Sequence, residues 1–156
     1  MEMLPGWTLT CTAVRAYPSQ GACGKHTIMA FSEHQGRKIA HERAGGRCEI
    51  AIDDVCSSEP DTVHHRVKKG QGGLWSPSNL LVACGSGTTG CHGFVEAHPS
   101  WAKTEGLWLL SNMDPLIEPV HMRWEGLRSW WRLDDEGLLH WIGDSPFEEI
   151  RLRSHH

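Results

Sequence analysis

The chain has 156 residues, of which 39% are hydrophobic and 22% charged, which suits one small globular unit with appended elements and excludes wholesale disorder. A net charge of -4 excludes a protein that coats nucleic acid by charge alone. Residues 1–104 carry 10 Lys/Arg against 9 Asp/Glu and residues 105–156 carry 5 against 10, so the acidity is C-terminal, while His64 to Gly73 holds Arg66, Lys68 and Lys69 and no acid. The composition is unusual in its 8 Trp, 11 His, 17 Gly and 6 Cys, a pattern that points to metal sites.

No stretch approaches the ~20 apolar residues of a membrane span. The N-terminus, Met1 to Trp7, lacks the basic and apolar regions of a secretory signal. The expectation is a soluble cytoplasmic protein without a membrane partner, in a reducing compartment where paired cysteines hold metal more often than they form disulfides.

In chain order, Thr8 to Val14 is the best early strand candidate, and Pro18, Gly21 and Gly24 punctuate the stretch after it. Residues 28–44 predict a helix with Ile28, Phe31, Ile39 and Ala40 as apolar contacts, weakened by Gly36 and stopped by Gly45-Gly46. Cys48 to Pro99 is dense in special residues and poor in periodicity. Within it, strands are expected over Thr62–Val67 and Asn79–Cys84, separated by the loop Gly70-Gln71-Gly72-Gly73. A glycine-rich turn then leads to a helix that starts near Cys91 and stops by Pro99. Ser129–Leu133 and Leu138–Ile142 predict a β-hairpin across the turn Asp134-Asp135-Glu136-Gly137. Its tryptophans, Trp130, Trp131 and Trp141 together with Trp124, have two readings, base-stacking platform or small hairpin core, and the core is the more ordinary one. The chain divides into three segments: residues 1–44 as an N-terminal extension with a helix, 45–104 as the core, and 105–156 as a Trp-rich extension.

Cys48, Cys56, Cys84 and Cys91 bracket the histidine pair, two before and two after. Four thiolates suit tetrahedral zinc, although spacings of seven and six residues exceed the usual two to four. Gly85, Gly87 and Gly90 let the second loop curl around an ion. Buried free thiols and disulfides are the competing readings. A structural zinc is the expectation, because a glycine-rich segment of this size buries too little apolar area to hold itself together. Cys11 and Cys23, with His26 and His34, read as plain thiols rather than a second site.

His64 and His65 are adjacent on a predicted strand, so they face opposite sides, and one can bind metal while the other addresses a water. His92 lies in the first turn of a helix, and Glu96 comes one turn later on the same face. His98, six residues from His92, falls on another face.

Asp61-Thr62-Val63-His64-His65-Arg66, Gly72-Gly73, Ser78-Asn79-Leu80-Leu81 and Cys91-His92-Gly93-Phe94-Val95 together resemble the HNH endonuclease family. The likeness is to its zinc-containing, phage-associated members, and it runs from about Gly45 to Pro99. It implies an α+β fold built on a ββα-metal core, two strands and a helix clasping one divalent ion beside the structural zinc. It further implies His65 as general base, His64 and His92 as ligands of the catalytic metal, Asn79 as the residue that orients the loop and His65, and Arg66 as a phosphate contact. Where such relatives place a second helix histidine, this chain has Glu96, which suits Mg²⁺ or Mn²⁺ better than Zn²⁺ or Ni²⁺. The implied reaction is hydrolysis of a DNA phosphodiester, as an endonuclease or nickase, leaving a 5′-phosphate and a 3′-hydroxyl. The implied location is cytoplasmic, including a host cytoplasm. RNA is an alternative substrate, and a non-catalytic zinc module that binds nucleic acid or protein is the alternative function.

Overall fold

The computed structural model describes residues 30–145, a mixed α/β arrangement with two small antiparallel sheets. The expected strand at Thr8–Val14, the residues Cys11, Cys23 and His26, and the start of the predicted 28–44 helix lie outside the described residues. Among the described residues, no helix is long and apolar enough to cross a membrane.

Helix α1 spans Glu33–Ala44. Its start is set by a capping box: Ser32 Oγ accepts from Gln35 N–H at 3.2 Å while Gln35 Oε1 accepts from Ser32 N–H at 3.0 Å. Its end is set by Gly45, whose left-handed φ of 58° lets its N–H return to the His41 carbonyl. Gly36 is not a weak point but a contact. A Cβ there would stand 1.9 Å from the Trp75 carbonyl oxygen, so glycine is what allows α1 to lie against the loop before the second strand.

Strands β1 (Thr62–His65) and β2 (Leu80–Ala83) pair antiparallel with His64 opposite Leu81 and His65 opposite Leu80. Both are shorter than expected, because Asn79 closes a short 3₁₀ turn, Pro77–Asn79, so that past His65 only the Arg66 N–H bond to the Asn79 carbonyl continues the pairing. The two faces of this ribbon serve two cores. Val63, Leu80 and Val82 pack on Ala40 and Ala44 of α1, and Leu81 and Ala83 join a larger cluster with Cys84, Cys91 and Val95. Alternation thus puts His64 on the second face and His65 on the α1 face.

Helix α2 (Gly90–Ala97) lies on the His64 face, and α3 (Pro99–Thr104) comes directly after it. The predicted stop before Pro99 holds only for α2. Proline is well suited to a first helical turn and here begins the next helix. The C-terminal sheet has three strands, not two: β3 (Val120–Trp124), β4 (Leu127–Leu133) and β5 (Leu139–Gly143), in the order β3-β4-β5. Glu125 and Gly126 join β3 to β4 with φ of 47° and 84°, the paired positive values that a tight primed hairpin turn requires. Asp134 closes the next turn by accepting from the Glu136 and Leu138 N–H groups. This sheet adds Val120, Met122, Trp131 and Leu133 to the cluster that contains the cysteines, so the two segments share one core. Trp131 is buried, Trp124 packs against that core, and Trp130 stacks on His121 at 5.0 Å, whereas Trp141 is 60% exposed.

Candidate metal centres

The first centre joins Cys48, Cys56, Cys84 and Cys91, whose sulfurs all lie within 4.8 Å of one another. A tetrahedral zinc with 2.3 Å bonds needs sulfurs roughly 3.8 Å apart, and Cys84 and Cys56 stand at 3.9 Å. Every sulfur accepts a backbone N–H. Cys48 takes Ala51 and Cys84, Cys56 takes Ser58, Cys84 takes Cys91, and Cys91 takes Ile52, at 3.3–3.4 Å. Such donors stabilise thiolates and aim them. The loop that carries the first two cysteines holds Ala51, Asp54 and Ser58 at φ of 44°, 62° and 68°. Left-handed backbone at such residues costs about 1 kcal/mol or more each and persists where the surroundings over-determine it. Arg128 supplies part of that determination by donating to the Ile50 and Ala51 carbonyls, and Arg123 by pairing with Asp53 at 2.7 Å. The neighbouring Cys91 thiol pulls the Cys48 thiol down to about 5, while Cys48 and burial push Cys91 up. The donor set, the spacing and the N–H pattern suit a structural metal such as zinc. One flank is open, since half-buried Cys56 lies on a cleft of about 440 Å³ with Arg47, Asp53 and Trp124 on its walls.

The second centre joins His64, His92 and Glu96 across β1 and α2, again with ligand atoms within 4.8 Å of one another. Hydrogen bonding sets the tautomers. His64 is fully buried and its Nε2 donates to the Leu107 carbonyl at 2.7 Å, so Nδ1 carries the lone pair. That Nδ1 is buried with no hydrogen-bond partner and faces Glu96 Oε1 at 3.6 Å. Thr62 Oγ1 lies 2.8 Å from His92 Nδ1 and 3.4 Å from the Ala83 carbonyl, and with its hydrogen on that carbonyl the His92 Nδ1–H is the donor. His92 Nε2 is then left as an acceptor, 3.7 Å from the same Glu96 oxygen. Three ligand atoms thus face one another, and the cation already among them is the Lys68 ammonium on Glu96 Oε1. Glu96 is held well below the usual carboxylate range, by His64 where its Nδ1 carries a proton and by the Lys68 ammonium on Oε1. At 3.6 Å the Nδ1–Oε1 contact is too long for a hydrogen bond, and two acceptor atoms at that distance are reconciled only by a shared proton or cation. His98 turns away, bonding the Phe94 carbonyl at 2.8 Å and stacking on the Phe94 ring, so it takes no part.

His65 sits on the other face of β1, with its ring edge-on to Trp75 at 4.4 Å. No hydrogen bond joins it to His64, His92 or Glu96 among the described residues, and its Nε2 is buried without a partner. Burial, then the charges of His64, Lys69, Arg37 and Lys68, lowers its pKa from 6.5 to about 4. Asn79 is buried and acts on the intervening loop. Its Oδ1 accepts from Val67 N–H at 2.7 Å and its Nδ2 donates to the Val67 and Leu74 carbonyls at 3.1 and 3.0 Å. It therefore fixes where β1 leaves the ribbon, two residues past His65, and does not touch the imidazole.

Arg66 does not do what the resemblance implies. It is fully buried, and its guanidinium donates to five carbonyls, those of Gly106, Ser78, Pro115, Glu118 and Pro119, at 2.8–3.2 Å. A phosphate contact there is ruled out by burial, and so is a solvated strand residue. The cations that flank His65 are instead Arg37 and Lys69, each poised over the Trp75 ring at 5.1 and 5.2 Å.

Three further residues were invisible to motif reading. Lys68 reaches Glu96 Oε1 and lies 4.1 Å from the Trp108 ring centroid. Arg43 and Glu49 form a wholly buried two-pronged ion pair at 2.6 and 2.7 Å, with Glu49 also accepting from Val82 N–H, which ties α1 to β2 and to Cys48. Only their spacing, a charged residue at each flank of a glycine pair, hinted at them. Set against known proteins, the chain matches no family model, no curated protein sequence and no solved structure.

Proposed function

We propose that this protein is a metal-dependent phosphodiester hydrolase of the HNH endonuclease type, acting on DNA, with a cysteine-bound structural zinc beside a ββα-metal site. The observation that carries the reading is the convergence of His64 Nδ1, His92 Nε2 and Glu96 Oε1 from one strand and one helix, with tautomers that present lone pairs inward. The buried, unpartnered Nδ1 of His64 fits a metal ligand. Two imidazoles and one carboxylate are a donor set open to Mg²⁺, Mn²⁺, Zn²⁺ or Ni²⁺. A divalent ion held there supplies charge neutralisation at the phosphate and at the departing 3′ oxygen.

The chain's own residues supply the rest. His65 is neutral at pH 7 because burial and nearby cations keep its pKa near 4, so it can accept the proton of an attacking water. The same cations, Arg37 and Lys69, give a phosphodiester an electrostatic foothold beside that imidazole, the role Arg66 cannot play. Asn79 holds the strand exit so that Lys68, Lys69 and Trp75 stay in register with His65.

Zinc-loaded protein with Mg²⁺ or Mn²⁺ should nick supercoiled plasmid, and His65→Ala should abolish nicking. Cleavage by His65→Ala at the parent's rate would remove His65 as base, and the same assay on RNA decides the nucleic acid. One observation favours the second reading, a non-catalytic zinc module that binds nucleic acid or protein: Lys68 already neutralises Glu96. No cleavage with Mg²⁺, Mn²⁺, Ni²⁺ or Zn²⁺, in a protein that holds one zinc tightly, would select it.

A further inference from the structure

Lys68 is placed with more care than a surface lysine needs. The residue before it, Val67, has both its N–H and its carbonyl held by the Asn79 side chain. Its own carbonyl accepts from Gln71 and Gly73 N–H at 2.8 and 3.0 Å, and a Cβ on Gly73 would stand 1.9 Å from the Val67 oxygen. The backbone at Lys68 is therefore pinned. From it the side chain runs over Trp108 and ends on Glu96 Oε1, and it is 19% exposed. That oxygen is the one that faces His64 Nδ1 and His92 Nε2. An ammonium over an aromatic face and against a carboxylate is held by two attractions that do not require a metal.

We propose that Lys68 sets the divalent-metal affinity of this site: its ammonium is an internal cation that competes with the metal for Glu96. The inference rests on the reading of His64, His92 and Glu96 as metal ligands and deepens it. A dication entering the site must displace the Lys68 ammonium from Glu96 or share the carboxylate with a like charge. The cost of doing so is subtracted from the metal's binding free energy.

The test is Mn²⁺ titration of the zinc-loaded, substrate-free protein by calorimetry, with no cleavage step involved. Removing one positive charge from a partly screened pair should tighten Mn²⁺ by about tenfold in Lys68→Met. Lys68→Gln, which keeps a polar tip, should tighten it comparably, and zinc content and melting temperature serve as the check on folding in both. Unchanged or weaker Mn²⁺ binding in the two variants would overturn the role of Lys68. Glu96→Gln separates that failure from the failure of the underlying site. If Glu96→Gln loses Mn²⁺ while the lysine variants match the parent, only the competition is wrong. If Glu96→Gln binds Mn²⁺ like the parent, the site itself is misassigned.

Discussion

Replacing Arg66 by Ala tests the largest disagreement between motif and structure. The side chain donates five hydrogen bonds, and a bond to a charged donor contributes roughly 1.5–3 kcal/mol. A simple sum would exceed the stability of most domains, so it overstates the loss. Water can take over at Pro115, Glu118 and Pro119, where the bonds are only partly buried. The Gly106 and Ser78 carbonyls lie in fully buried contacts and would lose this donor. Two orphaned acceptors at roughly 1–3 kcal/mol each put the destabilisation near 4 kcal/mol. Urea unfolding of the zinc-loaded protein should show that loss, with melting lowered by roughly 10–20 °C. Arg66→Lys should recover only part, because an ammonium cannot fork toward five carbonyls on several loops. A parent-like Arg66→Lys in stability that has lost nucleic-acid binding would refute the buried placement and restore the phosphate contact.

Gly36→Ala should destabilise by about 2–3 kcal/mol in the same unfolding assay, despite alanine's better helix propensity, because its Cβ meets the Trp75 carbonyl; a gain in stability would mean that α1 does not rest on that loop. Cys56→Ser, or chelation of the parent, should remove zinc by elemental analysis and lower the melting temperature by more than roughly 20 °C, and retention of one zinc at full stability would dismiss the four-sulfur site. For pH, the depressed values of His65 and His92, each about 4 against 6.5, mean that the fold favours the neutral rings. Their contribution is fully present above pH 6.5 and is lost as pH falls toward 4, where the unfolded chain takes up protons first. The kcat/KM for plasmid should accordingly hold its value from pH 7 to about 5, and a half-point at 6.5 would show an ordinary imidazole at His65.

The features legible in the sequence are those that ligand chemistry restricts. Four cysteines and a His-Glu pair one turn apart have few other uses in a chain of this size, and the fold brings each set within bonding reach. Burial was not legible. Arg66 continues the strand alternation on the His64 side, and its acceptors come from residues 78 to 119, which no local window joins to it. The Arg43–Glu49 pair hides for the same reason, since its other partners are the Pro77 and Leu80 carbonyls. Strand β3 did carry a signal, because Val120, Met122 and Trp124 alternate, yet only Val120 and Met122 are fully buried, and polar residues interrupt the run. Gly36 looked like a flaw in a helix because the carbonyl it makes room for is 39 residues away.

The two centres are not independent: they share the start of α2 and the end of β2, and any coupling between them is reciprocal. Cys91 and His92 are consecutive in the first turn of α2, and both of their N–H groups return to Cys84, one to its sulfur and one to its carbonyl. Cys84 in turn comes directly after β2, the partner strand of the one that carries His64. A metal drawn tightly by the four sulfurs therefore fixes the start of α2 against the ribbon, and the distance from His64 to His92 with it. Glu96 stands one turn beyond, where no cysteine contact reaches it and Lys68 is its nearest anchor. Whatever orders the start of α2 at one centre therefore favours the geometry of the other. The ligand least constrained by zinc is the carboxylate, and it is also the one that an internal cation already holds.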